Sequence, residues 1–250
     1  VPGLRGRAVL AAAFGLLLSA GDGTAGPPYV TDDPEPVGRH RWEFYLSLTG
    51  ERDTGGSSGD FPHFEVNYGP SPEVQLHVIL PLSYARPPGG PTAWGFGDIE
   101  VGAKYRFLEE TASRPQVGTF PLLELPSGDA ARGLGSGTVR AFIPVWLQKS
   151  FGKWTTYGGG GYWINAGKGN RNWWFAGWQA QVQLTSFFAP GGEFYYQSPS
   201  EDGASPEVRF NVGFVLDLGE RHHILFSAGR AITGCDCSQA YFAWLLTLGP

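Results

Sequence analysis

Residues 208–218 read VRFNVGFVLDL, in which Val208, Phe210, Val212, Phe214, Leu216 and Leu218 alternate with Arg209, Asn211, Gly213, Val215 and Asp217. A period of 2 held over eleven residues describes a strand with one apolar and one largely polar face, because successive side chains of a strand point to opposite sides. A helix would space its apolar residues by three and four. The pattern recurs on both sides of this stretch. Trp42, Phe44, Leu46 and Leu48 alternate with Arg41, Glu43, Tyr45 and Ser47. Val74, Leu76, Val78 and Leu80 alternate with Gln75, His77 and Ile79, and Ile99, Val101, Ala103, Tyr105 and Phe107 with Glu100, Gly102, Lys104 and Arg106. Trp174, Ala176, Trp178, Ala180 and Val182 do the same with Trp173, Phe175, Gln179 and Gln181.

Extended along the chain, the reading gives about twelve strands, near residues 40–50, 60–69, 73–84, 97–108, 115–126, 137–149, 153–165, 173–184, 187–197, 207–218, 222–232 and 239–248. Long polar links such as 51–59, 85–96, 127–136, 166–172, 198–206 and 233–238 follow the odd strands, and short ones such as 70–72 and 150–152 follow the even ones. An even strand count, with long loops at one end and short turns at the other, describes a transmembrane antiparallel up-and-down β-barrel of the outer-membrane kind.

Alternation alone does not say which face is wet. A soluble barrel or sandwich would bury the apolar set, and a membrane barrel would turn it outward. Strands of ten or more residues exceed the usual five or six. Trp42, Tyr68, Tyr84, Tyr105, Trp154, Tyr162, Trp174 and Tyr196 cluster towards strand ends, where interfacial girdles lie. Charges avoid the apolar face, on which Arg or Lys at mid-bilayer would cost about 2–4 kcal/mol. All this favours an apolar outside. Pro62, Pro81, Pro121, Pro144 and Pro190 fall within these strands, so each requires a bulge or a strand end, since proline has no N–H for the ladder.

Composition agrees. With 38 Gly and 20 Pro the chain is no helical bundle, and with 14 % aromatic residues it is not disordered. A formal charge of −5 and scattered basic residues exclude nucleic-acid binding. Residues 1–25 carry Arg5 and Arg7, an apolar run over 8–18 and a small, polar stretch. This is the order of an export signal, leaving 26–250 as the barrel of a protein in the outer membrane of a Gram-negative bacterium.

Catalytic patterns fail on context. Gly55-Gly56-Ser57-Ser58-Gly59 matches a nucleophile motif in letters, but no helix follows to form the elbow. The Gly133–Gly137 run (GLGSG) is a turn by composition, and His222 and His223 should flank a turn, their adjacent side chains on opposite faces. No enzyme, cofactor or metal is expected. Cys235 and Cys237 lie in a loop expected to face the outside; a local disulfide is expected there, with metal binding or a free thiol pair as alternatives.

The functional surface is then the inner face. Arg41, Glu43, Glu65, Gln75, His77, Glu100, Lys104, Arg106, Glu124, Arg140, Gln179, Gln181, Glu193, Arg209 and Asp217 should point inward, beside Tyr45, Tyr157, Trp163 and Trp173. Either these charges pair and plug a narrow interior, making a non-conducting surface-binding or structural barrel, or they line a wet passage for a small-molecule solute. Barrels of 8 strands are filled and those of 16–18 conduct, so twelve lies between.

An ordered series of segments carries a resemblance. Residues 95–107 (GFGDIEVGAKYRF) resemble the glycine–aspartate strand motif of the outer-membrane proteins named after the meta-cleavage pathway of phenol degradation. Residues 80–84 (LPLSY), 125–137 (LPSGDAARGLGSG), 148–162 (QKSFGKWTTYGGGGY), 192–197 (GEFYYQ) and 211–230 (NVGFVLDLGERHHILFSAGR) are similar to that family in the same order. The resemblance implies a transporter-like barrel that passes small, often apolar or aromatic molecules. It implies outer-membrane lipid and the barrel assembly machinery as partners. The chain departs from such barrels at Leu248-Gly249-Pro250, where they usually end on an aromatic residue.

Overall fold

The computed structural model describes residues 28–250; the expected leader over 1–25 lies outside them. Fourteen strand segments form one antiparallel sheet: β1 (Trp42–Asp53), β2 (Gly56–Ser71), β3 (Val74–Arg86), β4 (Ala93–Phe96), β5 (Ile99–Leu108), β6 (Gln116–Thr119), β7 (Leu122–Leu125), β8 (Arg140–Phe151), β9 (Trp154–Asn165), β10 (Trp173–Val182), β11 (Phe188–Gln197), β12 (Glu207–Asp217), β13 (His222–Thr233) and β14 (Ser238–Leu248). β1 pairs with β14, Trp42 opposite Leu248 and Arg52 opposite Ser238. The sheet closes on itself. β4 and β5 both pair with β3, and β6 and β7 both pair with β5 and β8. Each couple is one interrupted stave, so the wall is a closed barrel of twelve staves.

The two interruptions correct the sequence reading, which left 93–96 in the link over 85–96 and ran the strand over 115–126 through its break, and proline chemistry explains them. Pro81 lies opposite the gap at Gly97 and Asp98, so its missing donor falls where the ladder changes register. Pro144 lies opposite Phe120, which with Pro121 forms the break between β6 and β7. Pro62 sits in the bulge between Asp60 and His63, and Pro190 lies beyond the last pair that joins β10 to β11. A second correction concerns residues 51–59, read as a long loop. β1 and β2 extend through them to a tight turn, Asp53 opposite Gly56. Polar β-competent residues such as Ser57 and Ser58 continue a strand that rises above the apolar belt.

Burial settles which face is dry. Phe194 is 63 % and Val212 58 % exposed on the outside, whereas Glu193 is 1 %, Lys104 1 % and Gln179 0 % exposed within. In water this order would be inverted; with lipid outside, it is the arrangement expected of a membrane barrel. Outward aromatics pair at both rims: Trp42 with Tyr68 at 4.3 Å between ring centroids, and Tyr162 with Trp174 at 4.7 Å. His222 and His223 flank the turn into β13, as expected. They do take opposite faces, but His223 is buried inside and lies 2.6 Å from Asp217, while His222 stacks on Trp244 outside.

Candidate conduction path and its internal strap

Residues 28–41 carry no periodic pattern before Arg41, and as far as Arg39 they form no ladder with the wall. They run inside the lumen as a strap that ends at the start of β1. Its acidic stretch, TDDPEPV over 31–37, meets basic and amide side chains of the inner wall. Lys104 Nζ lies 3.0 Å from Asp32 Oδ1 and 3.3 Å from Asp33 Oδ1. Arg106 donates to Glu35 at 2.7 Å, and Gln116 donates to the same carboxylate at 2.6 Å. The backbone of the strap is held as well. Val30 and Thr31 N–H donate to the two oxygens of Glu193 at 2.9 and 2.8 Å, Val37 N–H donates to Gln75 at 2.9 Å, and the Ser227 hydroxyl donates to the carbonyl of Pro28. An irregular segment inside a barrel has no ladder of its own, so its polar groups must find such partners.

The wall is also shaped for the strap. Gly177 on β10 faces the Thr31 side chain, so that a Cβ at Gly177 would collide with it, and one at Gly118 would lie 2.9 Å from Pro34 Cβ. Glycine on the inner face at these positions leaves room that any other residue would fill.

Two cavities flank the strap. The upper one, about 550 Å³, is bordered by Pro28, Tyr29, Val30 and Asp32 of the strap and by Tyr45, Glu65, Gln75, His77, Glu100 and Lys104. The lower one, about 880 Å³, is bordered by Glu35–Gly38, Arg41, Glu43, Asp217 and His223. Between them Thr31, Asp33 and Pro34 are buried. The lumen is filled there by the strap and by two packed clusters. One contains Tyr45, Leu225, Ala243 and Leu245; the other contains Phe120, Phe142, Trp146, Phe175 and Tyr195.

The residues expected to line a passage therefore divide. Arg41, Glu43 and Asp217 border the lower cavity, and Tyr45, Glu65, Gln75, His77, Glu100 and Lys104 the upper one. Arg209 borders a side recess of about 310 Å³, where it pairs with Glu51 at 2.7 Å and with Glu207 at 2.6 Å. Arg106 and Glu193 hold the strap. Glu124 and Arg140 pair with each other. Trp163 and Trp173 stack at 5.4 Å against the aromatic cluster, and Tyr157 is buried. Gln179 donates to Gln181 at 3.1 Å. These last seven pack the interior and do not border either cavity.

The glycine–aspartate segment has a local role. Asp98, in the gap between β4 and β5, accepts hydrogen bonds from Gly128 N–H at 2.9 Å, Ser136 N–H at 2.6 Å and the Ser136 hydroxyl at 2.7 Å. These bonds fold the loop between β7 and β8 inward, and its Leu134 is buried at the roof of the upper cavity. Outside, the break between β6 and β7 leaves an apolar groove of about 400 Å³ lined by Val101, Pro121, Leu122 and Ile143. Cys235 and Cys237 are joined by a disulfide.

The family described as Putative MetA-pathway of phenol degradation matches residues 66–245. Among solved structures, the COG4313 outer membrane channel from Pseudomonas putida F1 superposes with a TM-score of 0.67 at 12 % identity, covering 86 % of this chain and 98 % of that one. The KdgM porin superposes with a TM-score of 0.57 at 10 % identity, over 82 % of this chain and 99 % of its own. The NanC porin does so with a TM-score of 0.53 at 8 % identity, over 83 % and 100 %. At such identities the likeness is one of fold. A comparison with curated proteins gives no match.

Proposed function

The chain belongs to the family described as Putative MetA-pathway of phenol degradation, and from that premise we propose that it is an outer-membrane channel for small molecules whose described conformation is closed by its own strap. One observation carries the reading: a polar lumen holds a cavity of about 550 Å³ and another of about 880 Å³ on either side of a single segment tethered by side chains. A barrel whose interior served only as a core would have no reason to keep both ends hollow, because interiors pack to crystal-like density. The upper cavity combines acceptors and donors with Phe120, Leu122 and Tyr241. That mixture suits small aromatic or apolar solutes carrying a polar group. Fold likeness to a channel and to two porins supports the same reading.

Passage requires the strap to move. Its tethers are polar and lie beside cavities lined by polar side chains, so water can replace them as they part. Swelling of liposomes containing the folded protein, in sugars and in small aromatic solutes, tests the proposal. Swelling above that of empty vesicles is expected, and rates equal to empty vesicles would make the barrel a non-conducting surface protein.

A further inference from the structure

We infer that the lumen admits cations in preference to anions, with Glu65 and Glu100 as the specificity-determining pair. The inference rests on the channel reading above and adds the charge class of what passes.

Among the described residues, four lysine and arginine side chains face the lumen from the strands, and each is already held by carboxylate. Lys104 is held by Asp32 and Asp33, Arg106 by Glu35, Arg140 by Glu124, and Arg209 by Glu51 and Glu207. Among the described residues bordering the upper cavity this leaves Asp60, Glu65 and Glu100 with no lysine or arginine at ion-pair distance. Around the upper cavity the one lysine, Lys104, is thus spoken for, and negative charge is in excess there. A cavity with low-dielectric walls concentrates such a field, and acidic side chains around a pore select cations.

The excess is placed where a solute would meet it. Glu65, Glu100 and Asp60 border the upper cavity. The basic group that Glu65 and Glu100 share is an imidazole: His77 Nε2 lies 3.0 Å from Glu100, and Nδ1 lies 3.5 Å from Glu65 and 2.7 Å from Asn67. The rings of Tyr45, Tyr241 and Phe120 line the same space, and ring faces attract cations. Lys104 already shows this, its Nζ lying 5.1 Å from the Phe120 centroid. Organic solutes with a protonated amine therefore fit the cavity better than carboxylates of the same size.

A merely structural role for Glu65 and Glu100 would leave ion selectivity untouched, and this decides the experiment. The folded protein is placed in planar bilayers across a potassium chloride gradient and the reversal potential is measured. The potential is expected to take the sign set by potassium, with a permeability ratio over chloride of roughly tenfold. Glu65→Gln with Glu100→Gln should bring the ratio towards unity. Asp202→Asn, an exposed loop carboxylate beside Arg171, should leave it unchanged. An unselective or chloride-preferring wild type overturns the inference while leaving the channel reading intact, and selectivity undiminished in the double variant overturns the assignment to this pair. If the double variant fails to show the gel shift of a folded barrel, Glu100→Gln alone is used and must lower the ratio. Absence of any current from folded protein overturns the channel reading, and the selectivity falls with it.

Discussion

The ammonium of Lys104, on the barrel wall, lies 3.3 Å from the carboxylate of Asp33, on the strap, and both side chains are buried. This contact joins two parts of the molecule that are 71 residues apart. Removing one partner of a buried pair typically costs about 3–5 kcal/mol, because the other is left charged and unpaired. In Lys104→Met, Asp32 and Asp33 both lose their cation. The strap should leave the lumen more often, seen as longer open times in single-channel records and as faster protease cleavage within residues 28–41.

Acid should hold the strap in place. Burial pushes the Asp33 carboxyl up to about 6 from 3.8, against the lowering pull of Lys104, with Asp32 and Glu35 adding to the rise. The docked strap therefore binds this proton more tightly than a released one. Its contribution to docking is complete below 3.8 and is lost as pH rises through about 6. Open probability should be lower at pH near 5 than at pH near 7.5. Asp33→Asn, which resembles the protonated form, should remove much of that dependence; an unchanged pH profile in this variant would assign the effect to another group.

Gly177→Val puts a branched side chain where Thr31 packs. Overpacking costs about 1–3 kcal/mol, and the strap, which has no ladder bonds, is the part able to move. The variant should keep the heat-dependent gel mobility of a barrel and show larger currents than the wild type.

Asp98→Ala removes the three acceptor contacts that hold the loop between β7 and β8. Each bond to a charged group is worth about 1.5–3 kcal/mol. Leu134 should then leave the roof of the upper cavity, and trypsin added from outside should cut at Arg132, whose side chain otherwise donates to the Trp94 carbonyl at 3.1 Å. Resistance equal to the wild type would show that the loop is held by other means.

Val212→Arg places a charge on the lipid face at a position 58 % exposed. A loss of about 2–4 kcal/mol is expected, read from guanidinium unfolding in lipid vesicles. Gln181→Lys, on the inner face, should cost far less. A soluble barrel would tolerate the first substitution better than the second.

The staves were legible in the sequence because a strand writes its two faces as alternating residues, and the two faces of this sheet meet very different surroundings. Val208 to Leu218, and Trp42 to Ser47, announce both the strand and its sidedness. The strap was not legible in the same way. Thr31 to Val37 has no period, and its acidic character alone does not distinguish a solvated leader from a segment threaded through a lumen. One signal was present: Gly118 and Gly177 interrupt the polar inner face with residues that leave space. The breaks at Gly97 and at Phe120 were half visible, since Pro81, Pro121 and Pro144 demanded gaps without saying which neighbour would supply them.

Local chemistry, read along the chain, was thus enough for the number of staves, the dry outside and the polar inside, because period and composition act within one strand. It could not say which inward charges would meet. Lys104 with Asp33, Glu193 with Thr31, and Asp98 with Ser136 join residues distant in sequence, and these pairings exist because closure of β1 on β14 brings opposite walls within side-chain reach of one another and of the strap. The division of the lumen into two cavities follows from those distances, and so belongs to the folded molecule.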